Sequence, residues 1–224
     1  IEVTGGMVFD DAGDPVPLLT HRSNPLSAVM RRFDVYSNND IVRVADGLGS
    51  VDDLEDFINR RLGIESGGVE FETASGERRN RMTVEQMVAL LTELEVEAAS
   101  QHLELQELLP VIGCDPGSTR QMFPALAGPD HAGSVTCKTG TLTHTDGGVA
   151  VLAGTFTSAV KGPVVFAVAA PRAGGSLQYW RRAQQRWILD LMDQLGGAVR
   201  RPCGPPLPYS DADAQLEVTV GVAE

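Results

Sequence analysis

Apolar positions run through this 224-residue chain in two rhythms. Near both ends, and again from Ser134 to Ala170, they form the short runs and alternations of strands. Between Leu26 and Leu109 they recur at three- and four-residue spacing, the pattern of amphipathic helices. Glu2–Phe9 and Val16–Thr20 predict strands around an Asp-Asp-Ala-Gly-Asp-Pro turn. Leu26, Val29, Met30 and Phe33 predict a helix starting near Asn24-Pro25, with proline at the first helical position, where its missing N–H is not needed. Ser37-Asn38-Asn39 breaks the pattern before a helix carrying Ile41, Val42 and Val44. Ser50 caps a further helix through Leu54, Phe57, Ile58 and Leu62, which ends at Gly63.

Gly68–Thr73 reads as a short strand. Thr83-Val84-Glu85-Gln86 is a capping box opening a helix from Val84 to about Ala99, with Met87, Leu90, Leu91 and Leu94 on one face. A second helix follows through Leu103, Leu105 and Leu109, and Gly113–Pro129 reads as loop. Ser134–Leu142, Gly148–Thr157 and Val164–Ala170 then predict an antiparallel meander joined by short turns. Ser176–Leu195 predicts an amphipathic helix whose stripe of Leu177, Trp180, Ala183, Trp187, Leu191 and Leu195 packs on that sheet. A Pro-rich stretch, Arg201-Pro202-Cys203-Gly204-Pro205-Pro206, leads to a last strand, Leu216–Val222. Helices, then a meander, then a covering helix is an α+β arrangement.

The net charge of −12 argues against a nucleic-acid partner, because phosphate binding needs clustered Lys and Arg. The acidic residues between Asp52 and Glu107 read as the solvated faces of helices. No apolar run approaches the roughly 20 residues of a membrane helix. The chain opens Ile1-Glu2-Val3, without a signal-peptide pattern or an initiator Met, and reads as a processed or trimmed end. Three cysteines cannot all pair within the chain; Cys114 with Cys137 is a candidate bridge for an oxidising compartment. His21, His102, His131 and His144 are scattered, and no metal-ligand spacing occurs.

Chemistry concentrates in two motifs. Lys138-Thr139-Gly140-Thr141 lies in the first strand of the meander, so Lys138 and Gly140 share one face and Thr139 and Thr141 the other. An ammonium on a cleft face favours a substrate carboxylate, and a glycine two residues on lets a peptide approach the backbone closely. Edge-strand backbone can pair with that peptide, and the N–H after the glycine can contribute to an oxyanion hole. Ser37 and Asn39 form Ser-x-Asn at the helix break; the hydroxyl can relay a proton and the amide can bond a substrate amide. These are two of the three motifs of penicillin-binding proteins and serine β-lactamases. The third, Ser-x-x-Lys, has no match upstream of Ser37. Ser158-Ala159-Val160-Lys161 fits the pattern but sits in a predicted hairpin, where serine and lysine are not stacked one helical turn apart.

At these residues the chain resembles the penicillin-binding protein 4 family, the D-alanyl-D-alanine carboxypeptidases and endopeptidases of bacterial cell-wall maintenance, from about Thr20 to Gly196. Ser23–Asn39 is similar to that family's helix leading to Ser-Asn-Asn. Ser75-Gly76 with Asn80-Arg81-Met82-Thr83 resembles its entry into the next helix, with Thr73-Ala74 in place of the usual Asp-Gly. Gly113-Cys114-Asp115, Gly117 and Arg120-Gln121-Met122-Phe123 resemble its loop ahead of Lys-Thr-Gly.

The resemblance implies a penicillin-binding-protein/serine β-lactamase-like transpeptidase domain, incomplete at its N-terminus. It implies roles for Ser37 and Asn39. It also implies that Lys138, Thr139 and Gly140 bind the terminal carboxylate of a peptidoglycan stem peptide or a β-lactam, with the Thr141 N–H at the oxyanion. No cofactor or metal is implied, and a periplasmic or otherwise extracytoplasmic location is. In the family a large insertion separates Ser-x-x-Lys from Ser-x-Asn. Residues 1–20 then correspond to the end of that insertion or its return strands, 21–196 to the C-terminal part of the catalytic domain, and 197–224 to a Pro-rich tail. The expectation is an enzyme portion whose nucleophile is supplied by an N-terminal segment or separate chain; the alternative is a non-catalytic module that binds peptidoglycan or a partner.

Overall fold

The protein's structure, a computed structural model, describes residues 2–9, 15–22, 24–39, 41–64, 68–77, 79–204 and 215–218. The chain divides into two units, Ile1–Val29 with Leu207–Glu224, and Met30–Pro206. In the first unit, β1 (Glu2–Phe9) and β2 (Pro15–Arg22) pair antiparallel, and β2 also pairs with the last strand, Gln215–Val218. The turn predicted at Asp10–Asp14, residues 219–222 of the predicted last strand and Pro205-Pro206 lie outside the described residues.

The helices of the second unit begin and end where the local chemistry dictates. These are α1 (Leu26–Tyr36), which starts in the first unit, α2 (Ile41–Asp46), α3 (Val51–Leu62) and α4 (Val84–Ser100). Ser50 Oγ accepts from Asp53 N at 3.1 Å while the Asp53 carboxylate accepts from Ser50 N at 2.8 Å, and Gly63 ends α3 at φ 62°. Thr83 and Gln86 make the same reciprocal pair for α4, and Gln86 Nε2 also donates to Gly68 O. The predicted strand Gly68–Thr73 is instead a single bridge, Glu70 with Arg81. Asn80 is the reason: its carbonyl takes the N–H groups of Glu72 and Thr73, and its amide donates to Thr73 O, so a side chain replaces the ladder. The second predicted helix shrinks to α5 (Leu105–Leu108), followed by Leu109-Pro110. The predicted loop Gly113–Pro129 contains one more turn of helix, α6 (Ser118–Met122).

Strands β3 (Val135–Leu142), β4 (Val149–Ser158) and β5 (Gly162–Pro171) form the expected meander, in the order β3-β4-β5, and α7 (Leu177–Gln194) follows. Alternation gives the sheet two apolar faces. Cys137, Leu152, Phe156 and Phe166 pack with Ile188 and Met192 of α7, while Ala153, Val165 and Ala167 pack with Met87, Leu91 and Leu94 of α4. The sheet is therefore held between α7 and α4, with β3 at one edge.

The expected stripe of α7 packs on the sheet in large part: Leu177 and Trp180 lie half-buried against Ala150 and Ala170, and Leu191 and Leu195 against the core around Leu152 and Phe166. Trp187 is 40% exposed, and the deepest positions are Arg181, Gln184, Ile188 and Met192. Arg181 and Gln184 are drawn inward because they satisfy backbone carbonyls of the sheet. One expectation needs correction. Cys114 pairs with Cys203 rather than Cys137, across a separation of 89 residues. Cys137 faces the core with no exposure, so it cannot meet Cys114 in its loop. Closing a loop of that length contributes about 4–5 kcal/mol by the chain-entropy estimate. The disulfide ties down residues 197–203, which also run beside the sheet: Val199 N donates to Thr157 O and Arg201 N to Gly133 O.

One ion pair links α1 to the loop before β3. The Arg31 guanidinium donates to both oxygens of Asp115, at 2.7 to 3.2 Å, and Asp115 also accepts from Val111 N at 2.7 Å. The side chains are only 12% and 3% exposed. Removing one member of such a pair leaves a buried charge unanswered. Asp115→Ala is expected to destabilise the fold by about 3–5 kcal/mol, read as a drop in the urea midpoint at unchanged slope.

Candidate active site

Helix α1 ends in a Schellman motif: Asn38 N donates to Phe33 O at 2.9 Å and Ser37 N to Asp34 O at 3.4 Å. The position that glycine usually fills is Ser37, held at φ 50°. A side chain there costs about 1–2 kcal/mol, and such strain gathers at functional sites. The strained turn points the hydroxyl at β3, where Lys138 Nζ donates to Ser37 Oγ at 2.6 Å and to Thr139 O at 2.7 Å. Residues 101 positions apart thus meet.

Glycine and serine make the close fit between the loop and the end of α1. A Cβ on Gly117, at φ 92°, would lie 2.4 Å from Val35 O, so that position must be glycine. The next hydroxyl, Ser118 Oγ, lies 3.5 Å from both Val35 O and Thr139 Oγ1. Thr139 is buried, so its hydroxyl faces this packing. Asn39 Nδ2 donates to Glu77 on the turn organised by Asn80.

The free edge of β3 begins where the motif begins. Its outer side is bridged by Val111 at Thr136, and Cys137 N donates to Pro110 O. Past Cys137, no strand borders that edge among the described residues. Gly140 and Thr141 are exposed there. Behind them, Arg181 donates to Gly140 O (2.8 Å), to Val151 O (2.9 Å) and to Thr141 Oγ1. Gln184 accepts from Arg181 and donates to Ala150 O. Burial lowers the Arg181 guanidinium to about 10, which still leaves it charged at neutral pH.

Burial also lowers Lys138, and the nearby Asp34 carboxylate opposes that by favouring the ammonium. Asp34 is itself pushed up to about 6 by burial, against the pull of Lys138. Two further side chains of nucleophilic type, Cys137 and Ser158, are buried. Cys137 is fully buried on the opposite face, and burial pushes its thiol up to about 12. Ser158 donates to Leu195 O and accepts from Val160 N and Lys161 N, so its hydroxyl closes the β4–β5 turn. No group of residues that could hold a metal occurs among the described residues.

The structure thus brings Ser37, Lys138 and Thr139 together, sets Gly140 and Thr141 at the open edge, and engages Asn39 with Glu77. The sequence reading missed Asp34, Glu77 and Arg181. Arg181 had a visible signal: with Gln184, Ile188 and Met192 it repeats at helical spacing, beside the more conspicuous tryptophans.

The sequence profile of the D-Ala-D-Ala carboxypeptidase 3 (S13) family matches residues 1–186, and the chain belongs to that family. No curated protein matches it. Among solved structures, the Bd0816 predatory endopeptidase of Bdellovibrio bacteriovorus, in complex with immunity protein Bd3460, is 23% identical with a TM-score of 0.70, over 82% of this chain and 47% of that one. Penicillin G-acylated Bd3459, a predatory endopeptidase of the same organism in complex with Bd3460, is 23% identical with a TM-score of 0.70, over 86% and 52%. Bd3459 described as a predatory peptidoglycan endopeptidase is 22% identical with a TM-score of 0.67, over 90% and 51%. The chain has their fold and spans about half their length.

Ser37→Gly separates strain from chemistry. Stability should be unchanged or rise by about 1 kcal/mol, since glycine relieves the left-handed backbone but adds unfolded-state entropy. The Lys138–Ser37 bond is lost at the same time, so ligand binding or acylation should weaken while the thermal midpoint holds.

Proposed function

We propose that this chain is the C-terminal portion of a serine-type D-Ala-D-Ala carboxypeptidase or endopeptidase that acts on peptidoglycan stem peptides through an acyl-enzyme and binds penicillin. The observation that carries the reading is the 2.6 Å bond from Lys138 to Ser37, which joins the two motifs at the open end of β3. Membership of the S13 family supports the same chemistry.

On this reading a serine of a Ser-x-x-Lys segment, carried by an N-terminal segment or separate chain, attacks the carbonyl of the penultimate D-Ala. Lys138, Thr139 and Gly140 hold the terminal carboxylate. The Thr141 N–H donates to the oxygen that gains charge. Ser37 passes a proton to the departing D-Ala nitrogen as the C–N bond breaks. Asn39 uses its carbonyl and remaining amide hydrogen on the substrate's peptide group. Water then hydrolyses the ester, returning the serine.

Two surface features support a further piece of the domain. Beyond β5 no strand continues the sheet among the described residues, and Trp187, edge-on to Phe166 at 6.1 Å, is partly exposed. An open strand edge and a bare aromatic are both surfaces that folding normally covers. The Cys114–Cys203 disulfide fits an oxidising, extracytoplasmic compartment, and no helix among the described residues is long and apolar enough to cross a membrane.

Labelling the purified sample with a fluorescent penicillin, with intact masses read alongside, tests the reading. Label is expected on a polypeptide that carries Ser-x-x-Lys N-terminal to this chain, whether joined to it or co-purifying. Label on Ser158 would break the motif assignment. No label on any folded species would favour the non-catalytic binding module. Gly140→Ala sharpens the test, because a Cβ there meets only Val151 Cβ, at an ordinary 3.6 Å. The fold should lose less than about 1 kcal/mol, while acylation slows by about 10²-fold if the substrate must lie against that backbone.

A further inference from the structure

The sheet-facing line of α4 changes character along its length. Met87, Leu91, Glu95 and Ala99 follow one another at four-residue spacing, so the line that packs Met87 and Leu91 on the sheet continues into a carboxylate. The sheet changes too. Ala153 of β4 packs with Leu91, but Thr155 and Thr157, which share its face, carry hydroxyls, and Thr136 of β3 pairs with Thr155. Between these surfaces lies a cavity of about 220 Å³.

Two local devices build its rim. His102, at φ 60°, reverses the chain after α4, with Leu103 N donating to Ala98 O at 2.8 Å, and Glu104 follows. Arg201 comes from the segment that the Cys114–Cys203 disulfide and the bonds to Thr157 O and Gly133 O pin against the sheet. Arg201 donates to Glu104, which also accepts from Gln106 at 2.7 Å. The charges of that pair cancel, and Glu95 remains. Glu95 is half-buried, and among the described residues neither its carboxylate nor the hydroxyls of Thr136, Thr155 and Thr157 have a hydrogen-bond or ion-pair partner. Polar groups turned toward a sheet without partners are kept at a cost that apolar side chains would avoid.

We propose that this cavity is a second ligand site, which takes a small primary ammonium compound with its ammonium on Glu95 and its other polar groups on the threonine hydroxyls. An ammonium has three donors and no acceptor, which suits a carboxylate that only accepts, with hydroxyls beside it. One uncompensated negative charge takes one cation. The volume lies below the roughly 300 Å³ at which drug-sized pockets begin, so the occupant is the size of an amino acid or a single sugar. Amino sugars and diamino acids both present the required group. The site is separate from the cleft: Thr136 lies where Val111 borders β3, whereas Lys138 lies past that border at the free edge. The inference therefore does not rest on the proposed function.

Amide NMR shifts of this chain, titrated at neutral pH with glucosamine and with Nα-acetyl-lysine, test the site. Glucose and N-acetyl-norleucine serve as counterparts that lack the ammonium. At least one amine is expected to saturate in the millimolar range, with shifts centred on Glu95, Thr136, Thr155 and Thr157. Its counterpart should bind at least about ten-fold more weakly. Binding of glucosamine alone supports the site and assigns it to amino sugars; binding of acetyl-lysine alone supports it and assigns it to diamino acids. Glu95→Gln should weaken the amine about ten-fold or more and Thr155→Val about five-fold, while Lys138→Ala leaves it unchanged. No shift at these residues, equal binding of an amine and its counterpart, or binding that survives Glu95→Gln overturns the inference. Binding that is lost in Lys138→Ala overturns it too, because the amine would then sit in the cleft. Should Glu95→Gln fail to fold, Thr155→Val carries the test, and an unchanged affinity there also overturns the inference.

Discussion

The Arg31–Asp115 pair is the constraint on which the site depends. Ser37 lies at the end of α1, and Lys138 lies three residues into β3, 101 positions later. Their meeting requires the helix and the strand to be held at a fixed separation. Asp115 supplies that by accepting from Arg31 of α1 and, in the same loop, from Val111, whose neighbours Pro110 and Ile112 pair with β3. One carboxylate therefore fixes the distance between helix and strand. Its burial costs several kcal/mol per ion, and only a bidentate partner with an added backbone donor can offset that. Gly117 and Ser118 complete the fit, because only a residue without Cβ can lie against the Val35 carbonyl.

Strain and desolvation are confined to the few groups that face the open edge. Ser37 occupies a backbone conformation that glycine would adopt freely, Lys138 is partly desolvated, and burial pushes the Asp34 carboxyl up to about 6. Each is unfavourable by itself. They persist because the Schellman bonds, the Arg31–Asp115 pair and the Arg181 anchor over-determine the backbone around them. Arg181 acts from the far side of the sheet, tying Gly140 and Val151 carbonyls so that the exposed end of β3 keeps its register with no strand on its outer side among the described residues.

What the sequence made legible is what local chemistry controls. The Ser50 cap, the Thr83–Gln86 capping box, the helix end at Gly63 and the three strands of the meander are set by residues within a few positions of one another, and they lie where their patterns put them. Lys-Thr-Gly and Ser-x-Asn were legible as motifs, but that Lys138 reaches Ser37 was not, since nothing local encodes the loop that joins them. The errors share a cause. Gly68–Thr73 has strand composition, but Asn80 takes its N–H groups from outside the window. The tryptophan stripe of α7 does pack on the sheet, but Arg181 and Gln184 lie deeper, because they meet carbonyls that exist only once the sheet forms. Cys137 stands next to a catalytic-looking lysine, but strand alternation sends it into the core, and Cys203 takes its place.

The Lys138–Ser37 bond, the strained turn and the Arg181 anchor are all made within Met30–Pro206. Hydroxyl, ammonium and strand edge are thus held by contacts of one unit, through hydrogen bonds that the fold itself supplies. On the proposed function these are the groups that would receive a peptide terminus. Groups already ordered by folding lose less conformational freedom on binding, which leaves more of the interaction energy for recognition. The strained backbone at Ser37 is tolerated on the same terms, because the bonds that impose it also fix the direction of its hydroxyl.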